Sequence, residues 1–187
     1  MRSRALVILL LTVAATAGAQ RVLPYAMLNV GVEYPLLVES GTQESWPFDL
    51  IWLTGAGLYA EAGGGLSVQV TENVAVDARA SISSPLIVFD MPLTVGGLVS
   101  GCWLLHDAYV GAGVGYRHEF HGRGTEPVKH ENAVEAALLT RIRWVTVEMR
   151  AGLYVGAPVA SWIDDRPGAG YVSIAVGSWR GFDGNNW

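Results

Sequence analysis

The chain has 187 residues, 51% of them hydrophobic and 16% charged, with a net charge of −5; this is one domain's length, and a mean hydropathy of +0.31 excludes a disordered chain. Lys129 is the single lysine beside eleven arginines, a poor surface for water, where the four charged residue types normally mix at roughly 25–35%. An acidic chain with no clustered positive footprint argues against nucleic acid as a partner.

Met1-Arg2-Ser3-Arg4 is a positive start, residues 5–15 are an apolar run, and Ala17-Gly18-Ala19 is a small-residue cleavage site. Together they predict a secretory signal peptide over 1–19 and a mature domain over 20–187. The run is too short to span a bilayer as a helix, which takes about 20 residues. No later stretch is an unbroken apolar run of that length, so any crossing must use strands. Cys102 is the lone cysteine and forbids an intramolecular disulfide despite the export signal. Leu98-Val99-Ser100-Gly101-Cys102 has the letters of a lipobox but lies far from the signal peptide, so Cys102 is expected to be a small buried residue.

From there on the chain runs in period two. Val74, Val76, Ala78, Ala80 and Ile82 alternate with Ala75, Asp77, Arg79 and Ser81, a strand with one apolar face. In chain order the rhythm predicts eight strands, at 25–34, 57–70, 74–82, 92–102, 108–120, 132–142, 145–156 and 170–182. One face carries side chains such as Leu28, Val30, Val32, Leu58, Leu66, Val68, Val99, Val114, Leu138, Val147 and Ile174, with Arg180 as its one full charge. The other carries Glu33, Glu61, Asp77, Arg79, Arg117, Glu119, Glu135, Arg141, Glu148 and Arg150.

A water-soluble sandwich or lipocalin-like barrel shows the same stripe with the charges outward. Three features favour the opposite orientation. Connections alternate, long at 35–56, 83–91, 121–131 and 157–169 and short at 71–73, 103–107 and 143–144, as in outer-membrane barrels. The even strand count puts both chain ends on the short-turn side, so the first strand can close on the last and leave no unpaired edge in hydrocarbon. The polar face also holds Gly111, Gly113 and Gly115, which make room in a narrow lumen. The fold class expected is therefore all-β, an eight-stranded antiparallel up-and-down transmembrane barrel. Tyr25, Tyr34, Trp103, Trp144, Tyr154, Tyr171 and Trp179 fall near strand ends and are expected at the membrane–water interfaces.

Segments such as Ala108-Tyr109-Val110-Gly111-Ala112-Gly113-Val114-Gly115-Tyr116-Arg117, set in this pattern over 25–182, resemble strands of the small eight-stranded bacterial outer-membrane barrels, the superfamily of the outer membrane protein A transmembrane domain and its X-like relatives. The resemblance implies residence in the outer membrane after export, contact with its lipid, and delivery by the barrel-assembly machinery. That machinery reads a C-terminal aromatic. Trp187 ends this chain, whereas Phe182 keeps the strand phase.

For chemistry, a hairpin turning at Glu126 would set Arg117 across from Glu135 and Glu119 across from Ala133. Paired in this way the inward charges would plug the lumen; a narrow porin-like channel for small solutes is the rival reading. His118, His121 and His130, with Glu119 and Glu131, surround one long loop. Their spacing is no metal signature, so neither a metal site nor a cofactor is expected. Asp164-Asp165 reads as a solvated turn. Some barrels of this class modify lipid A through a His and a Ser, but no His-x-Ser occurs here, and an enzyme is not expected. Gly63-Gly64-Gly65 lies inside a strand pattern and cradles no phosphate. What remains is a structural or surface-interaction protein, monomeric, whose long loops, among them Ser40-Gly41-Thr42-Gln43-Glu44-Ser45-Trp46-Pro47, could meet an extracellular partner. A soluble secreted barrel is the fallback.

Overall fold

Val, Ala and Leu on alternate positions favour pleated backbone, and every described run of this kind is a strand. The computed structural model describes residues 21–37, 57–86, 93–105, 108–121, 129–155 and 168–181. Its strands are β1 (Arg21–Leu37), β2 (Gly57–Thr71), β3 (Val74–Pro85), β4 (Leu93–Leu105), β5 (Ala108–His121), β6 (Lys129–Ile142), β7 (Val145–Tyr154) and β8 (Gly168–Gly181). Each pairs antiparallel with the next, and β1 returns to β8, from Tyr25↔Gly181 to Leu37↔Gly168, so the sheet is a closed barrel. The segment 1–19 expected to be a signal peptide, Ser40–Pro47, Asp164, Asp165, Phe182 and Trp187 lie outside the described residues.

Most strands outrun the expected limits, because ladder hydrogen bonds continue where the apolar alternation has stopped. β6, for example, begins at Lys129, paired with His121. β1 runs through Pro24, which pairs with Leu66 of β2 one position below the start of the seam with β8. Two tight turns lie at the end of the barrel that also carries Arg21 and Gly181. In one, Asn73 N–H donates to Thr71 Oγ1 at 3.3 Å. In the other, Ile142↔Val145 closes a two-residue link in which Arg143 has φ 55°.

The β5–β6 ladder corrects one expectation. Arg117 faces Ala133, Glu119 faces Glu131, and Glu135 faces Gly115. Moving the turn centre by one residue shifts every partner by two and leaves each side chain on its own face, so periodicity cannot detect the difference. Gly115 leaves the space that the Glu135 carboxylate occupies: a Cβ there would stand 2.8 Å from Glu135 Oε1.

Side-chain direction follows the phase. Val114 is 67% exposed, Leu138 61% and Leu153 64%, whereas Glu61, Asp77 and Glu148 are each 1% exposed. Val68 is the exception on the outward row at 7%, between its ladder partners Val22 and Val76. Toward the tight-turn end the lumen is filled by an apolar cluster of Ala75, Leu98, Cys102, Tyr109, Ala137 and Leu139.

Candidate functional site

Alternation turns the acids and arginines inward, and closure then decides which of them meet. With eight strands in a ring, β3 stands opposite β7 and β1 opposite β5. Two ion pairs span these diameters. Arg79 of β3 makes a two-pronged contact with Glu148 of β7, Nη1 donating to Oε2 at 2.7 Å and Nη2 to Oε1. Arg117 of β5 grips Glu33 of β1 in the same way, Nη2 donating to Oε1 at 3.1 Å, and its Nε lies 2.8 Å from Glu119 Oε1. Planar guanidinium forks suit carboxylates, which favours Arg over Lys in this interior.

Arg150 ties the centre together. Its Nε donates to Glu148 Oε1 at 2.6 Å and its Nη2 to Glu61 Oε1 at 2.7 Å, while Asn29 Nδ2 donates to Glu61 Oε2 at 3.2 Å. Glu135 is 3.9 Å from Arg150 Nη1 and accepts a hydrogen bond from the Tyr171 hydroxyl at 2.5 Å. Nearer the tight turns, Arg141 Nη1 donates to Asp77 Oδ2 at 2.5 Å and Tyr109 O–H to Asp77 Oδ1 at 3.1 Å. That spends the Tyr109 proton, so the Ser67 hydroxyl, 2.9 Å away, is the donor between those two. The Arg141 guanidinium also lies over the rings of Tyr25, Tyr109 and Trp179, at 4.9, 5.3 and 5.3 Å from their centroids. Buried charges need partners of this quality, because taking an ion out of water costs several kcal/mol.

All ten charged residues expected on the polar face, Glu33, Glu61, Asp77, Arg79, Arg117, Glu119, Glu135, Arg141, Glu148 and Arg150, point into the barrel, and the ion pairs and hydrogen bonds above join them. The expected pair Arg117–Glu135 is not among these contacts: Arg117 serves Glu33 and Glu119, and Glu135 leans on Tyr171. Glu131, buried beside Glu119 on the same face, adds a further acid.

The aromatics divide. Trp103 and Trp144, 58% and 62% exposed, lie outside near the tight-turn end, and Tyr34 is half-buried in an outward position of β1. Tyr25, Tyr171 and Trp179 correct the expectation of an interface role: they are buried in the lumen. Tyr154 does so as well, since its hydroxyl faces Glu119 at 3.4 Å. These four share the phase of the charged face, and that phase decides their direction whatever their height along the strand.

On the outer wall at the long-loop end, β5 and β6 bring His118, His130, Asn132, Tyr116 and Phe120 together. His118 Nδ1 is 2.7 Å from Asn132 Oδ1, and His118 Nε2 is 3.2 Å from His130 Nδ1. The Tyr116 hydroxyl donates to the same Asn132 oxygen. Among the described residues no group of three or more His, Cys, Asp or Glu side chains is arranged to hold a metal. His121 lies in β5, but its side chain is outside the described set.

No family model matches the chain, and no curated protein matches it. Among solved structures it is similar to the attachment invasion locus protein Ail of Yersinia pestis. The crystal structure of Ail with the heparin analogue sucrose octasulfate aligns over 84% of this chain and 99% of that one, at 9% identity and a TM-score of 0.36. Another crystal structure of Ail aligns over 83% and 98%, at 9% identity and a TM-score of 0.34.

Proposed function

We propose that this chain is an integral protein of a bacterial outer membrane, a barrel with a closed lumen that has a structural or surface-interaction role. The supporting observation is the inverted distribution of side chains. The wall exposes Leu28, Val30, Val114, Leu138, Ile142, Met149, Leu153 and Val176, each at 50% or more, while the ion pairs of Arg79, Arg117, Arg141 and Arg150 lie inside. Water-soluble monomers rarely expose so continuous an apolar surface, and in hydrocarbon a closed ladder satisfies every backbone group. Outer-membrane lipid is then the immediate partner, the barrel-assembly machinery a transient one, and the long loops the place for an extracellular one.

A filled interior argues for silence rather than transport, since contacts across the lumen occupy the space an ion would need. The test has two stages. The expressed protein is expected to stay with membranes through carbonate washing; release by carbonate would overturn the membrane reading. Purified barrel in planar bilayers is expected to give no current steps. Steps in the wild-type protein that change when Arg117 is replaced by alanine would instead support a narrow channel for small solutes.

A further inference from the structure

The histidines on the outer wall serve neither the lumen network nor the apolar surface. We propose that His118 and His130 form an open two-imidazole site for a borderline divalent transition metal such as zinc or copper, with Asn132 as its positioning residue.

The hydrogen bonds set the tautomers. Asn132 Oδ1 already accepts from the Tyr116 hydroxyl, so this atom is an acceptor, and the His118 nitrogen facing it at 2.7 Å must be Nδ1–H. The lone pair of neutral His118 is therefore on Nε2. That atom is turned toward His130 Nδ1 at 3.2 Å. Two ligands at about 2.0–2.1 Å from a tetrahedral metal stand about 3.3 Å apart, so these nitrogens are already at the spacing of a shared ion. An imidazole whose second nitrogen donates to a fixed carbonyl is the usual outer support of a metal-bound histidine. His130 has only to move its proton from Nδ1 to Nε2, with no net charge change, to present a second lone pair.

The rings have little freedom to separate. His118 and His130 are stacked with centroids 5.3 Å apart, and Phe120 packs edge-on against both, at 4.5 and 5.4 Å. Their strands are joined by the ladder that pairs His118 with Asn132 and Phe120 with His130. Nitrogen ligands select zinc, copper or nickel over calcium and magnesium. Two protein ligands leave the remaining positions to water or to another oxygen donor at that height of the wall.

The probe is zinc chloride, or copper sulfate for spectroscopy, added to the untagged full-length barrel in a zwitterionic detergent and competed against a chromogenic chelator. One equivalent is expected to bind saturably, with nitrogen hyperfine structure in the copper spectrum. Replacing His118 or His130 by alanine should weaken binding at least tenfold. Asn132→Ala should weaken it by about tenfold through loss of orientation, and Asn132→Asp, which keeps the acceptor, should restore it. Both histidines are on the outside, so the variants should keep the folded barrel's gel mobility, which separates lost binding from lost folding. Equal binding by wild type and the His118→Ala/His130→Ala double variant would show an adventitious ion only, held at His106, His121 or detergent, and would overturn the proposal. Absence of saturable binding by the wild type would do the same. Either result leaves the membrane reading untouched, because that reading does not use these residues.

Discussion

The ring of Tyr171 lies over Gly152, its direct partner in the β7–β8 ladder: a Cβ at position 152 would stand 2.4 Å from Tyr171 Cε1 and Cζ. Gly31 and Tyr59 repeat the arrangement between β1 and β2, where the added atom would meet Tyr59 Cζ at 2.6 Å. In both places the missing side chain lets an aromatic ring lie flat along the inner wall, where Tyr171 reaches both Glu135 and the face of Arg117, 4.2 Å from its ring centroid.

Gly152→Ala is therefore expected to destabilise the barrel by about 1–3 kcal/mol, the usual cost of overfilling a packed interior. Urea unfolding from lipid vesicles, followed by tryptophan emission, measures it. In a Tyr171→Ala background the same change should cost less than half as much. Equal costs in the two backgrounds would mean that the ring does not set the constraint.

Replacing Arg150 by methionine removes the shared partner of Glu61 and Glu148 and should cost about 3–5 kcal/mol. Arg117→Met should cost less, because one of its two carboxylates, Glu33, is 22% exposed and can be taken over by water, leaving Glu119 as the one buried acid that loses this partner, whereas Arg150→Met takes it from both Glu61 and Glu148. The order of the two unfolding midpoints is the readout, and a reversed order would contradict the account of the lumen.

On the wall the sign depends on the solvent. Val114 is 67% exposed and sits between Val99 and Ala136 in the ladders. In a bilayer Val114→Arg should cost about 2–4 kcal/mol if this height is the midplane. Leu105→Arg, at a residue 57% exposed on the same wall at the tight-turn end of β4, should cost no more than about 1 kcal/mol. A Val114→Arg barrel as stable as the wild type in vesicles would mean that the wall meets water.

Arg143 holds φ 55° in its two-residue link, a conformation that costs most residues about 1–2 kcal/mol and glycine almost nothing. Arg143→Gly is expected to raise stability by about 1 kcal/mol, and Arg143→Val to lower it. Equilibrium unfolding of the pair of variants checks both signs at once.

Strand positions, closure and the division into two faces were legible because each rests on period two, which needs no knowledge of distant contacts. The lumen partners were not. Phase says that Arg79 and Glu148 point inward, but only the ring geometry makes β3 and β7 face each other, and the two-residue ambiguity in the β5–β6 hairpin placed Glu135 opposite Arg117 instead of Gly115. Tyr25, Tyr154, Tyr171 and Trp179 were misplaced for a different reason. Their nearness to strand ends suggested an interface, although counting from Leu28, Leu153, Val172 and Val176 already sets them on the inner side. The contact of His118 with His130 needed the cross-strand register, which sets Phe120 opposite His130 and His118 opposite Asn132.

The ladder between β1 and β8 zips together the earliest and latest strands of the domain, residues more than a hundred positions apart along the chain. Until the last of them is made and delivered, the sheet has two raw margins whose amides and carbonyls have nothing to bond to in an oily surrounding. Under the membrane reading proposed above, insertion and closure of the ring are expected to be coupled, because an open sheet would leave those groups unbonded in hydrocarbon. A chain shortened by its first strand would be an open ribbon, prone to pair with whatever other margin it meets.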